Sequence, residues 1–148
     1  VLRSMAKWPD VPDVYGWLSL DRRGNWLLQG ERIGNRALRE FISRNYQPDA
    51  RGCWYFQNGP QRVFVRLAYA PLVAHFEGGS MFDHCGRLFE PSLAYLDDEG
   101  SVLMQGTHGV ALLDDRDLAG FADRTGGLPE IARDGVPGRF GFVGNPLP

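Results

Sequence analysis

The 148-residue chain is short of cysteine, nearly without lysine and free of long apolar runs, and each shortage narrows what it can be. Two cysteines, Cys53 and Cys85, are too few for the disulfide framework of a small secreted scaffold, and neither sits in a C-x-x-C pair. They read as reduced thiols. No apolar leader precedes the first motifs, so the expected location is cytoplasmic. The longest apolar run, residues 67–74 (LAYAPLVA), contains Pro71 and falls far short of the roughly 20 residues that cross a bilayer. A membrane is therefore not an expected partner. Absent too are a G-x-S-x-G elbow, a P-loop and H-E-x-x-H, so no common catalytic signature is present. Residues 1–4, ahead of Met5, are left out of the fold reading.

What is present suits one globular domain over residues 1–148. The chain is 43% hydrophobic and 12% aromatic, enough to build a core and to exclude disorder. Net charge is only −2, which by itself implies no polyanion. The charge is unevenly placed, however. Residues 1–74 carry eleven cationic against six acidic side chains, a net +5, and residues 75–148 carry five against twelve, a net −7. Opposed halves suit mutual attraction or head-to-tail self-association, and a basic half also suits an anionic partner.

The same phrase occurs twice. Residues 20–30 read LDRRGNWLLQG and residues 96–106 read LDDEGSVLMQG, both fitting L-D-x-x-G-x-x-L-[LM]-Q-G. L-x-x-F-[IA]-x-R follows at 38–44 and at 118–124, and GCWYF at 52–56 has a looser echo in GRFGF at 138–142. Three matches in one order predict an internal duplication. Half-repeat one covers about 13–74, a junction 75–90, and half-repeat two about 91–148. A lone hairpin and helix buries too little surface to be stable, whereas two copies close a core together.

Local signals agree. Residues 15–20 alternate as a strand, Asp21 to Gly24 suit a type I turn, and 25–32 return as its partner. Asn35 is an N-cap, and Ala37, Leu38, Phe41, Ile42 and Tyr46 mark the apolar face of a helix ended by Pro48. Residues 53–57 and 62–69 form a second hairpin about Asn58-Gly59, with Pro60 able to shift the turn. Residues 77–80 (EGGS) look like the clearest break in the chain. Residues 93–96 and 102–105 form a third hairpin and 110–113 a further strand. Asp114 or Asp115 caps a short helix carrying Leu118, Phe121 and Ala122. Residues 126–139 read as loop and 140–143 as a last strand. The expected fold is α+β: two pseudo-symmetric hairpin–helix–strand half-repeats, mostly antiparallel sheet, with one helix per repeat. The second copy lacks a counterpart of strand 62–69, which leaves a sheet edge that invites a partner strand and predicts a homodimer.

The densest chemistry lies in the junction. Asp83, His84 and Cys85 are adjacent, and His75 and His108 are the remaining histidines. Zinc takes such N, S and O donors, but the spacing follows no standard zinc pattern, so no metal ligand and no cofactor are assigned. Cys85 with His75 or His108 as base and Asp83 as orienter is the catalytic alternative, with His84 a further candidate of the cluster. The structural alternative is a turn in which Asp83 or His84 bonds nearby backbone. Arg22 and Arg23, at one hairpin tip, are the candidate binding residues for an anionic partner, with His75 and His108 as further binding candidates. Arginines interleaved with Trp17, Trp26, Trp54 and Tyr55 suit single-stranded nucleic acid, but no RNP motif is present and strand aromatics belong more often to a core, so nucleic acid is disfavoured.

The stretch W-P-x-V-P-x-x-Y-G-W-L-x-L-D-R-R-G-x-W at 8–26, with G-C-W-Y-F-Q-N-G-P-Q at 52–61, resembles a family of small proteobacterial proteins of unknown function. The resemblance implies a bacterial cytoplasmic protein and carries no catalytic residues. The leading expectation is a non-catalytic binding or interaction module. The alternatives are a small enzyme or metal binder using Asp83, His84 and Cys85, and a single-strand binder using the arginine-rich half.

Overall fold

The computed structural model describes residues 8–121 and 126–148. Ala122 and the end of the second L-x-x-F-[IA]-x-R match lie outside the described residues. The chain forms two compact units. The first comprises Val1–Asp21, Asn25–Ala68 and Gly141–Pro148, and the second comprises Arg22–Gly24 and Tyr69–Phe140. Each holds one six-stranded mixed sheet, and the class is α+β.

In the first unit, β1 (Asp13–Leu20), β2 (Trp26–Leu28) and β3 (Glu31–Arg32) form an antiparallel meander. Helix α1 (Arg36–Arg44) follows, then β4 (Tyr46–Pro48), β5 (Trp54–Asn58) and β6 (Gln61–Leu67). β6 lies parallel to β1, giving the order β3-β2-β1-β6-β5-β4. Asn35 caps α1 as expected, its side chain accepting from the Leu38 N–H at 2.9 Å. Such a cap contributes about 1 kcal/mol. Leu38 and Ile42 are buried, and Phe41 meets Phe56 of β5 edge-on at 5.5 Å. The helix ends at Arg44, before Pro48, because the chain turns into β4, and Tyr46 packs from that strand between Trp26 and Trp54. Pro60 does shift the hairpin turn: Asn58 pairs with Gln61, leaving Gly59 and Pro60 as the loop.

In the second unit, β7 (Leu72–Glu77) and β8 (Ser80–Asp83) form a hairpin whose two-residue loop is Gly78-Gly79. The stretch read as a break is thus a tight turn, because both glycines take positive φ. Next come β9 (Leu93–Asp97), β10 (Val102–Gly106), β11 (Gly109–Leu113), α2 (Leu118–Phe121), β12 (Glu130–Ile131) and α3 (Val136–Phe140). The order is β12-β9-β10-β11-β7-β8, with β12 parallel to β9 and β7 parallel to β11. Val110 to Leu113 are buried in succession, so β11 is covered on both faces.

The two sheets fit a duplication. Each contains a meander with a parallel strand beside its first member, β3-β2-β1-β6 and β11-β10-β9-β12, in the same chain order with a helix before the parallel strand. The place of β6 is taken in the second copy by the two-residue β12, from a stretch read as loop. Outside this shared core the sheets differ: β5 and β4 extend one, and β7 and β8 extend the other at the opposite side. The GRFGF echo is not a strand. Phe140 ends α3, and Val143 instead bridges Cys53 itself, its N–H donating to the Gly52 carbonyl at 3.0 Å.

The repeated phrase divides in the structure. Its D-x-x-G part is a hairpin turn that recurs four times, at Asp21, Asp49, Asp83 and Asp97. In each, the Asp N–H donates to the carbonyl four residues on, at 2.8–3.1 Å, and the glycine takes positive φ. The Asp carboxylate accepts the N–H of that fourth residue in every case. This part reports a turn more than a shared ancestry. Its Q-G part differs between copies. Gln29-Gly30 forms the loop between β2 and β3, whereas Gln105 and Gly106 stay in β10, and Thr107-His108 form the next loop.

Candidate functional site

The junction cluster is held by the third D-x-x-G turn. Asp83 is fully buried at the end of β8, and its Oδ1 accepts the N–H groups of Cys85 and Arg87 at 2.9 and 3.1 Å. Its Oδ2 accepts from Arg87 Nε at 2.9 Å. The carboxylate therefore serves its own turn and does not orient the imidazole of His84. That ring is positioned by β7: the Val73 N–H donates to His84 Nδ1 at 3.1 Å. A backbone N–H can only donate, so Nδ1 carries no proton and Nε2 holds it in the neutral ring. Nε2 faces Cys85 Sγ at 3.6 Å as a donor. In this tautomer Nε2 offers no lone pair to take the thiol proton.

The other singled-out residues are dispersed. His75 lies on β7 with Nε2 3.4 Å from Glu77 Oε2. His108 is exposed in the loop between β10 and β11. Among the described residues no group of three His, Cys, Asp or Glu could hold a metal ion. Arg22 and Arg23 belong to the second unit and are engaged there. Arg22 Nη2 donates to Ser101 Oγ at 2.8 Å, and its guanidinium lies 5.1 Å from the Tyr69 ring centroid. Arg23 pairs with Asp115 at 3.0 Å. Behind this tip there is no room for a side chain at Gly24, where a Cβ would lie 2.6 Å from that of His84.

The arginine–aromatic pattern of the first half has two fates. Trp26 and Trp54 are core residues. Tyr15 and Tyr55 are half-buried on strands beside Phe64, itself a core residue, with Tyr15 stacked on Phe64 at 4.7 Å. The guanidinium of Arg62 lies 5.3 Å from the Phe64 centroid and that of Arg51 5.8 Å. Both arginines are paired, with Asp13 and Asp49 respectively. Burial raises the Asp49 carboxyl, but N–H bonds from Cys53 and Arg51 and the Arg51 guanidinium outweigh it and hold it below the usual range.

A cleft not signalled by any motif opens in the second unit. Its apolar lobe, about 440 Å³, is lined by Phe76, Met81, Leu88, Phe89 and Phe121, with Glu90 and Ser80 among its polar residues. A second lobe of about 480 Å³ shares Phe76 and Gly79 and adds Arg116, Asp117 and Gly120. The volumes suit a small ligand. Phe76 and Phe121 rings stand 6.5 Å apart. Leu88, on the wall of the apolar lobe, is 53% exposed. Phe89 reaches its place because Gly106 has no side chain: a Cβ there would meet the Phe89 ring at 2.6 Å. Three aspartates follow β11, and the last of them, Asp117, lines the second lobe. Asp114 is held by Arg116, with Nε at 3.0 Å from Oδ1 and Nη2 at 2.5 Å from Oδ2. Asp115 takes Arg23, and Asp117 Oδ2 accepts the Phe76 N–H at 3.0 Å. The cleft draws most of its wall from the junction, through apolar residues that sequence reasoning passed over in favour of Asp83, His84 and Cys85. The usable signal was the Phe76, Met81, Leu88 and Phe89 series flanking that cluster.

Among the described residues no helix is long and apolar enough to cross a membrane. Two solved bacterial structures share the fold. A DUF1285 family protein from Silicibacter pomeroyi DSS-3 is 18% identical with a TM-score of 0.55, over 83% of this chain and 75% of that one. A DUF1285 family protein from Shewanella baltica OS155 is 16% identical with a TM-score of 0.53, over 72% and 90%. No curated protein matches the sequence. The family that residues 1–131 match is described as a protein of unknown function (DUF2946), in keeping with the resemblance carried by the 8–26 and 52–61 motifs, and the chain belongs to it.

Proposed function

We propose that the protein is a non-catalytic binding module whose binding site is the cleft of the second unit. The observation that carries this reading is the cleft itself: a cavity of about 440 Å³ walled by Phe76, Met81, Leu88, Phe89 and Phe121. Such a site binds by burying apolar ligand surface, and a few fixed polar groups at the lip orient what enters. The chemistry beside it favours binding over reaction. Asp83 is used in its own turn, and the His84 nitrogen facing Cys85 is a donor. The test is a screen of small apolar fragments by NMR on the full chain. Shifts gathered on Phe76, Leu88, Phe89 and Phe121, and lost in Leu88→Asp, are expected. Fragments that bind elsewhere, or none that bind, would remove the reading.

A second reading, self-association, is supported by charge. The first unit carries nine cationic against six acidic residues and the second seven against twelve, a net +3 against −5. Sedimentation velocity should then show a dimer at low salt that dissociates as salt rises. A monomer at every ionic strength would eliminate it.

A further inference from the structure

We infer that the cleft takes an apolar ligand bearing one positive charge, an aryl- or alkylammonium small molecule; this rests on the cleft being the binding site. The walls supply the apolar half of the recognition. Phe76, Phe89 and Phe121 contribute aromatic rings, whose faces attract cations as well as bury carbon. The lip supplies the charge. Of the three aspartates at 114, 115 and 117, the first two are neutralised by Arg116 and Arg23. Asp117 makes no salt bridge among the described residues, and the Arg116 guanidinium, held on Asp114, acts on it only as a nearby charge. The Asp117 Oδ2 accepts the Phe76 N–H, and the residue lines the second lobe. Glu90, lining the other lobe, is exposed and also has no cationic partner among the described residues. Arg116 is the one cation lining either lobe among the described residues, and Asp114 engages its guanidinium through Nε and Nη2. The cleft therefore presents two carboxylates outside any salt bridge among the described residues, beside three phenyl rings and within a unit of net charge −5. An anionic ligand would meet both carboxylates unpaired, and a neutral one would leave them unused.

Calorimetric titration of the full chain with 4-phenylbutylamine, 4-phenylbutanol and 4-phenylbutyrate tests this, because the three share one apolar body. The amine is expected to bind about fivefold more tightly than the alcohol, the sum of two partly exposed charge contacts. The carboxylate should bind most weakly, and added salt should shrink the amine's advantage. Asp117→Asn with Glu90→Gln keeps an acceptor for the Phe76 N–H, and should bring the ratio of amine to alcohol affinity, both measured on that variant, down to about one. An amine no tighter than the alcohol, or an advantage that survives both substitutions, would overturn the inference and leave the cleft as a neutral apolar site. Failure of all three compounds to bind would remove the binding site itself, and this inference with it.

Discussion

The Tyr69 hydroxyl donates to Oδ2 of Asp97 at 2.7 Å, between two guanidinium groups that flank its ring. Arg22 and Arg133 lie 5.1 and 5.0 Å from the ring centroid. Asp97 and Asp21 hold the same place in the repeated phrase, yet Asp21 uses its Oδ2 on the Asn25 carboxamide. The bond to Tyr69 thus belongs to one occurrence of the phrase only, and it ties the β9–β10 turn to the chain entering the second unit. Tyr69→Phe would leave a buried carboxylate oxygen without its donor, a loss of about 1–3 kcal/mol. Urea denaturation at pH 7 measures it. A change below about 0.5 kcal/mol would mean that water replaces the hydroxyl.

The same phenol gives an alkaline signature. Burial, then the bond to Asp97, raise the Tyr69 pKa well above the usual tyrosine range, against the opposing pull of the two arginines. A raised folded pKa favours the protonated form, so this stability is complete below the unfolded value near 10 and is lost as pH climbs toward the folded one. The gap between wild type and Tyr69→Phe should therefore narrow by about 1 kcal/mol between pH 8 and pH 11. An unchanged gap would show that the phenol titrates normally.

At the acid end the relevant group is Asp114. Burial pushes its carboxyl up, but the Arg116 side chain and N–H outweigh this and lower it. A lowered carboxylate contributes stability above the unfolded value near 4 that disappears as pH falls through the folded one. Asp114→Asn should flatten the acid limb of the stability curve between about pH 4 and pH 2. Its cost at pH 7 should stay near 1 kcal/mol, since Arg116 is well exposed. An acid limb as steep as that of wild type would assign the effect elsewhere.

The two thiols should separate cleanly. Cys53 is buried, and burial raises its thiol pKa, so a thiol probe should not label it in the folded protein. Cys85 is half-buried and should label. Because His84 Nε2 faces the sulfur as a donor, His84→Gln should alter the labelling rate by less than about threefold. A drop of tenfold or more at neutral pH would mean that His84 acts as a base after all.

Gly30 and Gly106 end the repeated phrase with one letter and two reasons. Gly30 sits in a turn at φ +84° with nothing near it. Gly30→Ala should cost about 1 kcal/mol, from backbone strain alone. Gly106 has no positive φ, but the Phe89 ring occupies the space of its Cβ. Gly106→Ala should displace that ring and weaken fragment binding in the cleft, while Gly30→Ala leaves binding untouched. Equal effects of the two on binding would disconnect Phe89 from the site.

Much of the architecture followed from short-range chemistry. The Asn35 cap, the D-x-x-G turns, the alternation of β1 and β6 and the α+β class depend on neighbours a few residues apart, which is why the residues alone disclosed them. Elements of two residues, such as β12, and the α3 helix lacked any periodic signal, because their pairing partners lie far away in sequence. The difference between the two Q-G pairs was likewise hidden, since a glycine needed for φ and one needed for space are the same letter.

The candidate site divides the same way. Composition and pattern by themselves determined the α+β class, several of its turns and the junction segment between the two occurrences of the repeated phrase, whereas the division into two sheets was decided by pairing between distant strands. Which side chains of that segment matter was decided by tertiary structure. Val73 assigned the His84 tautomer from eleven residues away. Arg23 and Arg116 cancelled two of three aspartates. Phe121 joined Phe76, far from it in sequence, to wall a cleft. Each of these depends on through-space distance, and a sequence specifies such distances only through the whole fold.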